Sequence, residues 1–316
     1  MSPLPPFVPL FRNPHAQTIL SHYWRRPAGD TCFPAVRRLF RTAPDVEVLV
    51  ESQRPAAPAR GAMVMVHGLE GSSEASYMRS LAAAALAGGF AAHRFNLRTC
   101  GGTAHLCRTL YHAGLTADLL AVLEQLRAEG SGPAILAGFS LGGNVVLKLA
   151  GELGEAAAPL VRAVCAVSAP LDLAACARKM AEPANRIYQR RFVVRMKARL
   201  VATGRYRREE FRGLRSVQEI DDRITAPSFG FGDAANYYRT QSARLYLGAV
   251  RVPTLLLQAK DDPLVPFDAF EGPEVRENER IRLVATEHGG HVGFLARGAA
   301  RFWVDAAIMA WAEGVR

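Results

Sequence analysis

Residues 134–151 read AILAGFSLGGNVVLKLAG. The run 134–139 has the length and apolar character of a buried strand, and 143–153 carries apolar residues at helical spacing, so Ser140 falls on a strand-to-helix turn. Gly138 and Gly142 flank it at minus two and plus two, where strand and helix backbones approach too closely for a side chain. Such a turn exposes the serine hydroxyl and aims the next N–H, that of Leu141, into the same space. Gly-x-Ser-x-Gly alone is a weak signal, and its weight here comes from the strand and helix around it.

Working outward, short β-rich runs at 46–50, 62–67, 91–96, 162–168, 254–259 and 280–285 alternate with helical patterns at 76–87, 115–128 and 299–312. That rhythm predicts an α/β class with right-handed crossovers and a mainly parallel sheet buried on both faces. About 80 residues separate the strand ending near Pro170 from the one starting near Thr254, too many for a structureless loop in a compact domain. Helical character at 174–202 and 236–247 predicts a helical cap over 172–250, inserted in a single domain spanning 1–316.

A serine hydroxyl needs a base to take its proton and an acid to orient that base. Both candidates follow Ser140 in the chain. TLLLQAKDDPLVP places Asp261 and Asp262 after a strand, and EHGGHVGF places His288 and His291 after the last one. Asp262 is preferred because Asp-Pro-Leu-Val-Pro sets it at the turn, with Asp261 nearer the strand end. His291 is preferred because Gly289-Gly290 forms a tight turn that swings the next residue toward the C-terminal edge of the sheet. Acyl transfer also needs oxyanion donors. MVMVHGLEGSS, with a strand ending at His67-Gly68, offers the Leu69 N–H to complete a hole with Leu141.

Composition bounds the remaining possibilities. The 316 residues are 49% hydrophobic and 22% charged, as in soluble globular chains. MSPLPPFVPLFRNP reads as a retained N-terminus rather than a signal peptide, and no 18-residue apolar run predicts a membrane span. Five scattered cysteines without a C-x-x-C pair fit a cytoplasmic protein with reduced thiols, and Cys100, His105 and Cys107 match no zinc spacing. Of the net +10, residues 186–215 carry +9. A solvated helical face is the plain explanation. The alternatives are acidic substrates or, together with Phe7, Leu10 and Phe11, peripheral contact with an anionic membrane surface. No nucleic-acid module accompanies the charge, so no nucleic-acid partner is expected.

The chain resembles α/β-hydrolases of the YheT-like type, through NPHAQTIL (13–20), HGLEGSS (67–73), NLRTCGG (96–102), LYHAG (110–114), GFSLGGN (138–144), SAPLDL (168–173), DDP (261–263) and HGGHVGF (288–294). The resemblance covers nearly the whole chain. It implies the α/β-hydrolase fold, with Ser140 as nucleophile, Asp262 as orienting acid, His291 as base and no cofactor. It also implies a serine carboxylic-ester hydrolase acting on small-molecule or lipid esters of short to medium acyl chains. An acyltransferase using the same triad, and a non-catalytic lipid-binding protein of this fold, are the alternatives. Arg98 is expected to hold its loop rather than touch substrate.

Overall fold

A computed structural model describes residues 3–27 and 32–315. Its centre is one eight-stranded sheet in the order β1-β2-β4-β3-β5-β6-β7-β8. The strands are β1 (Val36–Ala43), β2 (Val46–Gln53), β3 (Ala62–Val66), β4 (Ala91–Phe95), β5 (Ala134–Phe139), β6 (Val161–Val167), β7 (Thr254–Ala259) and β8 (Ile281–Thr286). β1, β2 and β4 pair antiparallel, and every pairing from β4 through β8 is parallel.

Side chains alternate across the sheet, so β3 sends Met63 and Met65 into one core and Val64 and Val66 into the other. The methionine side is covered by α2 (Ser76–Ala87) and α11 (Trp303–Gly314), the valine side by α3 (Ala117–Ala128) and α4 (Leu141–Leu153). The central strands β3, β4, β5 and β7 are buried at every residue, as runs without alternation require.

Two edges depart from the sequence expectation. β1 was not expected, because Arg37, Arg38 and Arg41 break up its apolar content. It is an edge strand that buries Phe40 and otherwise faces solvent in part, and its cations discourage pairing with another sheet. β8, the opposite edge, is half-buried rather than covered on both faces.

Helix α1 (Pro14–Tyr23) precedes the sheet, capped by the Asn13 side chain, which accepts the Ala16 N–H. Between β6 and β7 run α5 (Leu173–Met180), α6 (Arg186–Ala202) and α7 (Val217–Ile220). A π-helical turn, Asp221–Thr225, leads into α8 (Ala226–Ser228), followed by α9 (Ala234–Gln241). The helix expected over 174–202 is therefore two, divided where Pro183 opens a short 3₁₀ turn. Likewise α9 stops at Gln241 and 243–249 is 3₁₀. α6 buries Val193, Met196 and Leu200 against Phe211, Val217 and Ile220, a small core of its own. α10 (Pro273–Arg276) is a short turn before β8.

Phe7, expected in a membrane-contact patch, is half-buried. Its ring packs on Trp303 at 5.0 Å and on Phe294 at 5.8 Å, and the Trp303 indole donates to the Pro5 carbonyl. Exposed apolar side chains are found instead at Leu20, Tyr23 and Trp24 around the end of α1, and at Ile187 and Val194 on α6. Among the described residues no helix is long and apolar enough to cross a membrane.

Candidate active site

Ser140 sits between β5 and α4 with φ 51° and ψ −123°, a left-handed conformation that costs an ordinary residue about 1–3 kcal/mol. The surrounding backbone enforces it. A Cβ on Gly138 would lie 2.3 Å from the Gly142 carbonyl oxygen, and one on Gly142 would lie 2.2 Å from that of Val66. The Ser140 N–H donates to the Val167 carbonyl at 2.8 Å, fixing the turn to the neighbouring strand.

The loop after β8 brings His291 to Ser140, with Nε2 2.9 Å from Oγ. On the other side of the ring, Nδ1 lies 2.9 Å from Oδ2 and 3.2 Å from Oδ1 of Asp262. A carboxylate can only accept, so Nδ1 carries the proton and Nε2 presents its lone pair to the hydroxyl. Asp262 is fully buried and further held by the Leu264 and Val265 N–H groups and the Gln258 amide. The rejected candidates form a pair of their own. Asp261 accepts the Gly290 N–H at 2.9 Å and lies 3.2 Å from His288 Nδ1, so together they shape the loop that carries His291.

Three residues outside the sequence candidates complete that support. Thr18 Oγ1 accepts the His291 N–H at 2.9 Å, and Ser168 Oγ accepts the Val292 N–H at 3.0 Å. Gln17, buried, donates to the Phe11 and Leu295 carbonyls and accepts the Leu295 N–H. Gln17 and Thr18 belong to NPHAQTIL, so that motif is a clamp on the histidine loop.

On the opposite wall, Leu69 follows the His67-Gly68 turn. His67 is fully buried, and burial pushes its imidazole down to about 4. The neutral ring donates from Nδ1 to the Gly68 carbonyl at 2.7 Å and accepts the Leu97 N–H at Nε2, which locks the turn. The Gly68 N–H in turn donates to the Tyr77 hydroxyl. Leu69 and Leu141 line one space with Ser140 and His291, and neither N–H donates a hydrogen bond among the described residues. For Leu141 that follows from its place in the first turn of α4.

Glu70, next along, has φ 54° and is buried. Arg199 of α6 donates from Nε to its carboxylate at 2.8 Å, donates to Thr99 Oγ1, and lies over the Tyr111 ring at 4.7 Å. Burial works against that guanidinium's charge, but Glu70 and Tyr111 outweigh it and raise its affinity for the proton. One cation of the basic run thus turns inward. Arg98 is structural, as its sequence position implied: it makes two bonds to Asp118, at 2.5 and 2.7 Å, and one to Thr109.

Asn144 on α4 was quoted in a motif but given no role. Its fully buried amide donates to the Ala113 and Gln241 carbonyls, both at 2.9 Å, and accepts the Ala243 N–H at 2.7 Å. A polar side chain inside an apolar helix, four residues after Ser140 and near the helix start, is the only sequence signal for it.

Two spaces meet at Ser140 and His291. The inner chamber lies under α5 and α6 and is lined by Cys176, Met180, Phe192, Met196, Val217 and Val265, with Tyr237, Tyr238 and Asp221 farther in. The outer cleft runs between α1, α6 and the loop after β3. Among the described residues no cluster of side chains is arranged as metal ligands.

Comparison with known proteins agrees with this architecture. A family model described as "Alpha/beta hydrolase family" matches residues 63–303. "Putative esterase YheT" of Escherichia coli (strain K12) is 35% identical over 96% of this chain and 92% of its own length. The mouse protein "Phospholipase ABHD3" is 29% identical over 76% of this chain, which spans 59% of that relative. Among solved structures, the Pyrococcus furiosus esterase Pf2001 superposes with a TM-score of 0.60 at 16% identity, covering 91% of this chain and 98% of that one. The chain belongs to the alpha/beta hydrolase family, in its YheT-like group.

Proposed function

We propose that this protein is a serine carboxylic-ester hydrolase acting on esters of short to medium acyl chains, with Ser140 as nucleophile, His291 as base and Asp262 as orienting acid. His291 Nε2 takes the hydroxyl proton as Oγ attacks the ester carbonyl carbon. Asp262 stabilises the imidazolium, and the Leu69 and Leu141 N–H groups receive the developing oxyanion. His291 then protonates the departing alcohol oxygen. Water, deprotonated by the same nitrogen, releases the acid from the acyl-enzyme. The segment 172–250 serves as a cap whose α5 and α6 wall the acyl chamber.

The observation that carries this reading is His291 bridging Ser140 and Asp262 at 2.9 Å on each side. Names of relatives agree: an esterase, a phospholipase and a yeast "Monoacylglycerol lipase" all belong to chains resembling this one. The test is a series of p-nitrophenyl esters from acetate to laurate. Wild type hydrolyses them with an optimum at short to medium length, and Ser140→Ala loses at least about a thousandfold in kcat. A fluorophosphonate probe labels wild type and not the variant. Wild-type-like turnover by Ser140→Ala, or folded wild type that takes no label, overturns the reading.

A further inference from the structure

An ester held at Ser140 must send its acyl and alcohol arms in different directions, and the two spaces that meet there differ in chemistry. In the inner chamber several polar groups already have hydrogen-bond partners. The Tyr238 hydroxyl donates to Asp221 at 2.7 Å, the Tyr237 hydroxyl accepts the Ala113 N–H at 2.7 Å, and His112 Nδ1 accepts the Gly114 N–H. What remains for a ligand is apolar wall, suited to an acyl chain.

The outer cleft is cationic. Arg26, Arg191, Arg195 and His22 line it, against Glu70 and Glu74. Both carboxylates are committed elsewhere, Glu70 to Arg199 at 2.8 Å and Glu74 to Arg94 at 3.0 Å. Two of the three arginines are not. Arg191 donates only to neutral groups, His22 Nε2 at 2.7 Å and the Tyr23 hydroxyl, and Arg195 makes no ion pair among the described residues. Arg26 is engaged, its guanidinium over the Phe302 ring at 4.5 Å and attracted to the buried Asp305 carboxylate. Their combined field is felt nearby: burial lowers the His22 pKa, and Arg191, Arg195 and Arg26 lower it further. The cleft wall is firm, since His15 on α1 and Tyr188 on α6 are hydrogen-bonded at 3.0 Å and stacked.

We propose that the outer cleft is a subsite for a phosphate carried on the alcohol portion of the ester, bound by Arg191 and Arg195, while the acyl chain occupies the inner chamber. A phosphate offers three or more acceptor oxygens to two guanidinium groups four residues apart on α6, whereas a carboxylate offers two. The subsite changes no bond of the phosphate. The acyl C–O bond breaks, the alcohol oxygen takes the His291 proton, and the phospho-alcohol leaves through the cleft. This rests on the assignment of Ser140 as nucleophile.

The test compares 1-octanoylglycerol with 1-octanoylglycerol 3-phosphate, which differ only in the phosphate. Wild type is expected to favour the phosphate ester at least tenfold in kcat/KM, mostly through KM, and the preference falls as salt rises. In Arg191→Gln/Arg195→Gln the ratio falls toward one. A wild-type ratio near one, or a ratio that the double variant leaves intact, overturns the proposal. A second arm presents phosphatidate in vesicles. If the arginine changes matter only there, the charges attach the protein to a lipid surface and the subsite is refuted.

Binding separates this proposal from the catalytic one. Ser140→Ala should bind octyl phosphate at least tenfold more tightly than octanol by calorimetry, with the difference lost in the arginine variant. Fluorophosphonate labelling without any phosphate preference refutes the subsite and leaves the nucleophile standing. Arg-dependent binding of octyl phosphate to a wild type that takes no label does the reverse.

Discussion

Arg199 and Glu70 lie 129 residues apart in the chain, yet the guanidinium Nε and the carboxylate are 2.8 Å apart at the loop after β3, both side chains nearly inaccessible to water. Removing one partner strands a buried charge. Arg199→Leu should destabilise the fold by about 3–5 kcal/mol. Adding Glu70→Gln should recover much of that loss. Urea unfolding of both single variants and the double variant closes the cycle, and simple additivity would show that the pair is not coupled.

At both elbow glycines, Gly138 and Gly142, the nearest obstacle to a Cβ is backbone. A Cβ at Gly142 would stand 2.2 Å from the Val66 carbonyl, which cannot move without shifting β3. Gly142→Ala should cost about 3 kcal/mol or more. Gly132→Ala, where a Cβ meets nothing within 4 Å, is the control and should stay within about 0.5 kcal/mol of wild type. Thermal unfolding distinguishes the two.

Asp262→Asn replaces an acceptor-only group by an amide that can donate to Nδ1, which turns the His291 proton to the Ser140 side. Such a change leaves geometry intact and should lower kcat by roughly a thousandfold to ten-thousandfold with little change in KM. Circular dichroism should be unaltered. Turnover within tenfold of wild type would remove Asp262 from the mechanism.

Three buried histidines make stability depend on pH. Burial lowers His67 and His93 to about 4 and His112 to about 3. The unfolded chain binds their protons below about 6.5 and the folded chain does not, so stability is full above that value and is lost as pH falls toward 4. At pH 5 each histidine costs about 2 kcal/mol relative to pH 7.5. Asp221 and Asp305, raised to about 6 by burial, act the other way. Each holds a proton in the folded state and adds roughly 1–2 kcal/mol from pH 7.5 to 5. The net expectation is a loss of about 3 kcal/mol from pH 7.5 to 5, read from urea midpoints. His112→Gln should shrink that loss, and stability that rises toward pH 5 would contradict it.

The parallel core was legible because its strands are continuous apolar runs punctuated by glycine. β1 was not, since an exposed edge strand is selected for charge on the side that faces water. The elbow announced itself through two glycines whose necessity is steric. Ser140, Asp262 and His291 come together in space because each follows a strand at the same end of a parallel sheet, which chain order alone conveys. Thr18, Ser168 and Asn144 were invisible for the opposite reason. Their work is hydrogen bonding to backbone groups far away in sequence, and an ordinary polar residue leaves no local pattern when its partners are remote. The basic run had the same ambiguity: nothing in its spacing separates Arg199, turned inward, from Arg191 and Arg195, left facing the cleft.

Asn144 sets a condition on remodelling this molecule. Its amide uses the Gln241 carbonyl and the Ala243 N–H on one side and the Ala113 carbonyl on the other. A segment transplanted between β6 and β7 to alter substrate choice has to present a carbonyl and an N–H two residues apart at that same point. A graft lacking them leaves a buried amide unsatisfied, about 1–3 kcal/mol per lost partner, on the helix that begins just after Ser140. Exchange of the β6–β7 segment in this scaffold is therefore a problem of matching two backbone atoms before it is one of shaping a pocket.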